Sequence, residues 1–439
     1  MRIFTCSACQ QTTYFENVTC TNCGHALAYL PDHRLLSALE KAEDAGPEAN
    51  LWVALAPKAK NARYRLCDNG VQHAACNWTV PESDPDPLCA ACRLNDVIPN
   101  LSKPGALAAW QKIERAKRRL LYTLYELGLP VESRAERPEN GLQFSFMADG
   151  DDGKEKVFTG HADGLITINI NEADDPFREQ VRTNMGEAYR TLLGHFRHEV
   201  GHYFWDRLIR DTPWIDHYRA LFGDERADYG ESLQRHYDNG PPADWGQRFV
   251  SAYATMHPWE DWAETWAHYL HMVDTLGTAR AYGMVLRPKP QGRSAELAVN
   301  ARSLDFEDFD DLMTGWVPMT LALNGLNRSM GLGDPYPFVL SEKAVEKLRF
   351  VHEVVEHWNS ADTVVDKVRK RWPAVEPGPY VAPPPPPAPE NPAPLPTQNA
   401  PADASTQPTP DASAQPAQAP DAPAPLPAPA PQPPVAAGG

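Results

Sequence analysis

The sequence predicts an α+β protein: a small cysteine-rich module at the N-terminus, a mainly helical domain carrying a small β-sheet, and a disordered C-terminal tail. Three observations predict it. All eight cysteines lie before residue 93, helical periodicity dominates from Asp174 to about His357, and the final stretch is rich in Pro, Ala and Gln. The expected boundaries are 1–95, 96–372 and 373–439. A chain of 439 residues can bury a sizeable core and build two or three domains.

The N-terminal module comes first. Cys6 and Cys9 form one C-x-x-C knuckle, and Cys20 and Cys23 form a second. Two knuckles can offer four thiolates to one tetrahedral, closed zinc site, the pattern of a zinc ribbon. Gly24, just after the second pair, allows the turn its unusual backbone. Redox C-x-x-C motifs come singly within α/β units, so the redox reading is the weaker one. Cys67, Cys76, Cys89 and Cys92 make a second set of four, in which Cys89 and Cys92 form a knuckle. His73 lies close enough to replace one thiolate, but four cysteines already fill a shell. Two structural zinc ions are expected here, holding together a module too small to make its own core.

A helix follows, "PGALAAWQKIERAKRRLLYTLYELGLP", bounded by Pro104 and by Gly128 with Pro130. Its basic cluster, Lys112 to Arg119, reads as a solvated helix face. "GLQFSFMA" and "GLITINI" read as strands; in the second, Leu165, Thr167 and Asn169 alternate with Ile166, Ile168 and Ile170. The tail holds over half of the chain's prolines and neither Lys nor Arg. Such a composition cannot offset its ordering entropy, and it predicts an extended, partly polyproline-II spacer, with a ligand for a proline-binding partner as the alternative.

Net charge narrows the partners. At −17 the chain lacks the basic balance of a nucleic-acid-binding protein. No apolar run is long enough to span a membrane, and "MRIFTCSACQ" shows no secretory h-region. Thiol-rich sites without an export signal predict the reducing cytoplasm.

The helical part contains "LLGHFRHEVGHYFWDRL", from Leu192 to Leu208. In a helix, His198 and His202 are one turn apart on one face and can aim ring nitrogens at one metal. Glu199, rotated by about 100°, comes near the metal without ligating it, where a general base for water is needed. The plain alternative is a helix with polar residues in solvent. Leu192, Leu193, Phe196, Val200, Tyr203, Phe204 and Leu208 argue against it, because they bury the helix, and an unpartnered His-Glu-His cluster would then be costly. His195, one turn before His198, reads as a packing or supporting residue. Trp205 and Leu208 stand where a metzincin has Gly and His, which excludes that class. The third ligand must then be acidic and come from a later helix. "HPWEDWAETWAHYLH", from His257 to His271, sets Glu260, Glu264, His268 and His271 on one face, with Trp262, Ala263 and Trp266 opposite. Helical geometry leaves either Glu260 or Glu264 able to reach the metal.

With "CAACRLNDVIPNLS", "HADGLITINI", "YRTLLGHFRHEVGHYFWD", "SAYATMHPWEDWAETWAHYLH" and "LNRSMGLGDPYPFVLS", the chain resembles the bacterial family of putative zinc-binding metallopeptidases with an N-terminal zinc ribbon. The resemblance runs from about Cys6 into the 350s and implies a zincin-like fold, a zinc ion and peptide hydrolysis. It also implies that "GLITINI" borders the cleft as a sheet edge. The spacing Y-x6-E-x3-E is similar, more distantly, to lethal-factor-like gluzincins. That likeness implies Glu260 as zinc ligand beside His198 and His202, Glu264 as the group orienting His198, and Tyr253 as oxyanion stabiliser. The expected function is a zinc metallopeptidase with Glu199 as base and a peptide or protein as substrate. The competing readings are a partner-binding module, through ribbon or tail, whose zincin-like part is not catalytic, and a self-cleaving or toxin-like enzyme.

Overall fold

The computed structural model describes residues 3–46, 49–150, 156–185, 189–288 and 297–358; the tail expected over 373–439 lies outside the described residues. The cysteine module begins with a short antiparallel pair, β1 (Phe4–Thr5) and β2 (Thr12–Thr13). An antiparallel meander follows: β3 (Ala26–Leu30), β4 (Leu35–Lys41), β5 (Trp52–Ala54), β6 (Arg63–Leu66) and, after the short helix α1 (Asp68–His73), β7 (Thr79–Pro81). Alternation along β3 gives the sheet two apolar faces. Ala28 and Leu30 join Leu39, Ala54 and Tyr64 in a small core, while Leu27 and Tyr29 join the main one. Tyr29 also bridges to Trp78, drawing the last strand back towards the first.

The remainder is helical around a small sheet. β8 (Asn95–Val97), α2 (Ala106–Glu126), β9 (Gln143–Met147), β10 (Gly160–Ala162) and β11 (Leu165–Asn169) lead into α3 (Asp175–Met185), α4 (Leu192–Leu208), α5 (Ile215–Phe222), α6 (Tyr229–Asn239) and α7 (Pro258–Ala281). A short pair, β12 (Val285–Leu286) and β13 (Val299–Asn300), precedes α8 (Phe309–Ser329) and α9 (Glu342–His357). Among the described residues, no helix is long and apolar enough to cross a membrane. α2 is the crossover joining the parallel strands β8 and β9. The two parts share one core: Tyr122 of α2 packs on Phe15 at 5.2 Å and Tyr29 at 5.9 Å between ring centres.

Two sequence expectations are corrected here. "GLITINI" forms β11, but β11 is internal: the strand order is β10-β11-β9-β8, and β10 pairs antiparallel outside it. Ile166 and Ile168 are fully buried, as a strand covered on both flanks requires, and the edge beside α4 belongs to β10. The basic cluster of α2 is not a solvated face either. Lys112 and Arg115 are exposed, but Lys117 and Arg118 are buried. Their burial is tolerable because it is paired: Lys117 Nζ lies 2.9 Å from Glu114, itself fully buried, and Arg118 donates to the carbonyl of Ala75.

α4 is buried on several sides, against α2, α7 and β10. Its approach to α7 is close. Gly201 faces Ala263, and the indole of Trp262 donates to the Gly201 carbonyl at 2.9 Å. This contact fixes which turn of α7 faces the histidines of α4.

Candidate metal centre

Thr191 caps α4 by accepting from the Gly194 amide at 3.0 Å, so the helix is regular before His198 is reached. α7 starts at Pro258, which needs no amide partner, behind the cap His257, whose ring accepts from the Trp259 amide at 3.1 Å. Glu260 therefore lies in the first turn of α7, where the helix dipole favours a carboxylate.

The two helices bring His198, His202 and Glu260 together. Their ligand atoms lie within 4.8 Å of one another. His198 Nε2 is 2.9 Å from Glu260 Oε2, and His202 Nε2 is 3.4 Å from Glu260 Oε1. Glu264 occupies the other side of the first imidazole: its Oε1 is 2.7 Å from His198 Nδ1, and Ser251 Oγ donates to its Oε2 at 2.6 Å. Glu264 thus meets the nitrogen pointing away from the cluster, while Glu260 meets the nitrogens pointing in. Glu260 is 2% exposed, and its Oε2 is buried with His198 Nε2 against it. A buried carboxylate needs a cation or donors to meet it. Two imidazole nitrogens and a carboxylate converging on one point make the donor set that zinc takes.

Electrostatics point the same way. Burial disfavours charge on His198, but Glu260 and Glu264 outweigh it and push the ring well above the usual histidine range. Burial likewise works against the Glu264 carboxylate, yet His198, His268 and Ser251 bring it down to about 2. The pocket is strongly cation-attracting.

Glu199 is 8% exposed, and its carboxylate has no hydrogen-bond partner among the described residues. Its charge is felt at Tyr253 and Tyr229, which sets it on the tyrosine side of the centre. Tyr253 lies with its ring 6.0 Å from that of His198. Burial, then Glu260, Tyr229 and Glu199, hold its phenol above the ordinary range. His195 stays outside the cluster, 3.3 Å from Glu172. His268 and His271 also turn elsewhere, to Tyr336 at 2.7 Å and Arg197 at 2.6 Å.

Sequence reasoning missed three neighbours. Tyr229 donates its hydroxyl to Glu260 Oε1 at 2.9 Å, the ring of His161 stacks on His202 at 6.0 Å, and Trp259 meets His202 edge-on at 4.7 Å. Tyr229 and His161 come from α6 and β10, at separations no short motif records; Trp259 stands beside Glu260 in the sequence.

The cysteines form two further clusters. In each, the four sulfurs lie within 4.8 Å of one another. Cys6 to Cys23, Cys9 to Cys20 and Cys76 to Cys89 are each 3.6 Å, a separation that suits thiolates sharing one ion and is far beyond a disulfide bond. Both knuckles of the first cluster end on a left-handed residue, Gln10 (φ 64°) and Gly24 (φ 76°). His73 is absent from the second cluster and packs on Trp110 instead. Burial works against the charge of Arg118, but Cys76, Glu114, Cys92 and Cys89 more than offset it and raise the guanidinium, which places a cation beside the second cluster.

Comparison with known proteins agrees with these clusters. Residues 106–354 match the model of a family described as "putative zinc-binding metallo-peptidase", and residues 3–103 match that of a zinc-ribbon domain. Uncharacterized proteins of Mycobacterium bovis and Mycobacterium tuberculosis are 42% identical over 357 residues, which cover 81% of this chain and 96% of theirs. No solved structure matches.

Proposed function

The chain belongs to the family of putative zinc-binding metallo-peptidases, and from that premise we propose that it hydrolyses peptide bonds at the centre formed by His198, His202 and Glu260. The observation that carries this reading is the placement of Glu260 between the two imidazoles, next to the helix turn that carries Glu199. The two cysteine clusters are closed four-thiolate shells and serve as structural sites.

A zinc ion held by the two histidines and Glu260 supplies Lewis acidity, which makes water nucleophilic at neutral pH and polarises a carbonyl. Glu199 accepts the proton of the attacking water and returns it to the leaving amine. Its carboxylate is free for this because, among the described residues, no other side chain holds it. Tyr253 donates to the oxyanion that develops on the scissile carbonyl. Glu264 keeps the proton of His198 on Nδ1, leaving Nε2 as the donor atom. The edge of β10, which carries His161 beside His202, offers unpaired backbone groups to an extended peptide, so a peptide or protein substrate fits as an added strand.

The test is a digest of proteome-derived peptides by wild type and Glu199→Gln. Wild type should cleave, and Glu199→Gln should retain zinc and lose turnover. Equal activity in both would defeat this reading in favour of a partner-binding module. Tyr253→Phe should lower kcat by about 10²-fold or more with KM little changed.

A further inference from the structure

We propose that Tyr229 is a positioning residue of the histidine–glutamate centre, holding the Glu260 carboxylate through its hydroxyl. The proposal deepens the reading above and takes from it the use of Glu260 as a ligand.

Glu260 has two oxygens that differ in their surroundings. Oε1 receives the Tyr229 hydroxyl at 2.9 Å and also lies 3.4 Å from His202 Nε2, whereas Oε2 faces His198 Nε2 at 2.9 Å. A carboxylate is close to two-fold symmetric about its last bond, so nothing in the side chain itself fixes its rotation. The Tyr229 phenol fixes it, by occupying one lone pair of Oε1 while the other oxygen stays against His198. At 2% exposure Glu260 has little access to water that could replace the phenol.

Tyr229 is itself held by the start of α7. It is the first residue of α6, behind the cap Asp228, which accepts from the Glu231 amide at 2.7 Å. Its ring lies 5.3 Å from that of His257. His257 accepts from Trp259 on Nδ1, so its Nε2 carries the proton and donates to the Ala227 carbonyl at 3.0 Å. One imidazole thus ties the beginning of α6 to the helix turn that carries Glu260. The Tyr229 residue is 39% exposed, so packing of its ring is a minor role. The hydroxyl is the part that reaches the centre.

Tyr229→Phe in the full chain removes that hydroxyl and keeps the ring. Chelator competition should show zinc affinity at this centre falling by about 10- to 100-fold, as for other partners of metal ligands. The two cysteine sites should be unaffected, and His198→Ala identifies which zinc is being read. kcat should fall with KM within about twofold. Wild-type zinc affinity in Tyr229→Phe overturns the proposal. The zinc measurement needs no turnover: a protein that binds zinc here but cleaves no peptide would defeat the peptidase reading and leave this one standing.

Discussion

Gly201 of α4 lies so close to α7 that a methyl group on it would sit 3.0 Å from the Ala263 Cα and 3.3 Å from its carbonyl oxygen. The obstacle is backbone, which cannot swing aside as a side chain can. Gly201→Ala gains about 1 kcal/mol of helix propensity. It meets overpacking that costs about 1–3 kcal/mol. The expected net effect is a loss of up to about 2 kcal/mol in urea denaturation, with weaker zinc binding at the histidines because the helices are wedged apart. A stabilised Gly201→Ala would show that the two helices have slack.

Glu260 and Glu264 should respond differently to removal. Glu260 faces both inward nitrogens, and Glu264 holds only the Nδ1 of His198. Glu260→Ala should strip the zinc from this centre. Glu264→Ala should weaken zinc binding or activity by about 10- to 100-fold and leave a measurable site. The opposite pattern, with Glu264→Ala losing zinc outright and Glu260→Ala keeping it, would exchange the two roles and remove the case for Tyr253.

Metal analysis of zinc-replete protein should find three zinc ions per chain, one for each cluster of ligand atoms. The histidine–glutamate zinc should leave first under chelation, since it has three protein ligands against four. Of the cysteine sites, the first should follow before the second. Cys9 and Cys23 are only half-buried, whereas Cys67, Cys76, Cys89 and Cys92 are all buried with Arg118 beside them. A stable two-zinc protein would remove one cluster from this scheme.

The sequence was most legible where one element carries the whole signal. The histidine helix expected from Leu192 to Leu208 is α4, and the later acidic helix from His257 is the start of α7. The cysteine sets were legible for the same reason, since thiolate spacing is local. What failed depended on neighbours. β11 reads as an edge or an inner strand with the same residues, and β10, three residues long, is too short to announce itself. Arg118 and Lys117 read as solvent-facing because their partners, Ala75, Glu114 and Asn95, are not all on the same helix. Tyr229 reaches Glu260 across 31 residues of chain, which no spacing rule predicts.

Glu172 supports the last prediction, which concerns acid. It lies just after β11, 4% exposed, with Arg190 at 3.1 Å and His195 at 3.3 Å. It thus anchors both the segment entering α4 and the first turn of that helix. Burial alone would raise its carboxyl, but His195 and Arg190 more than offset this and hold it at about 2, against an ordinary value of 4.5. That difference corresponds to roughly 3 kcal/mol favouring the folded, ionised state. Because the folded value is the lower one, the contribution is complete above pH 4.5, shrinks as the pH falls through 4.5, and is gone near pH 2. Glu172→Gln should therefore be less stable than wild type by up to about 3 kcal/mol at neutral pH. The gap between the two should narrow once the pH drops below about 4.5, whatever other carboxyls do, because those titrate in both proteins. Urea denaturation of the pair at pH 7, 5 and 3.5 reads this directly. A gap that stays constant over that range would mean that Glu172 acts through shape and hydrogen bonding rather than through its charge.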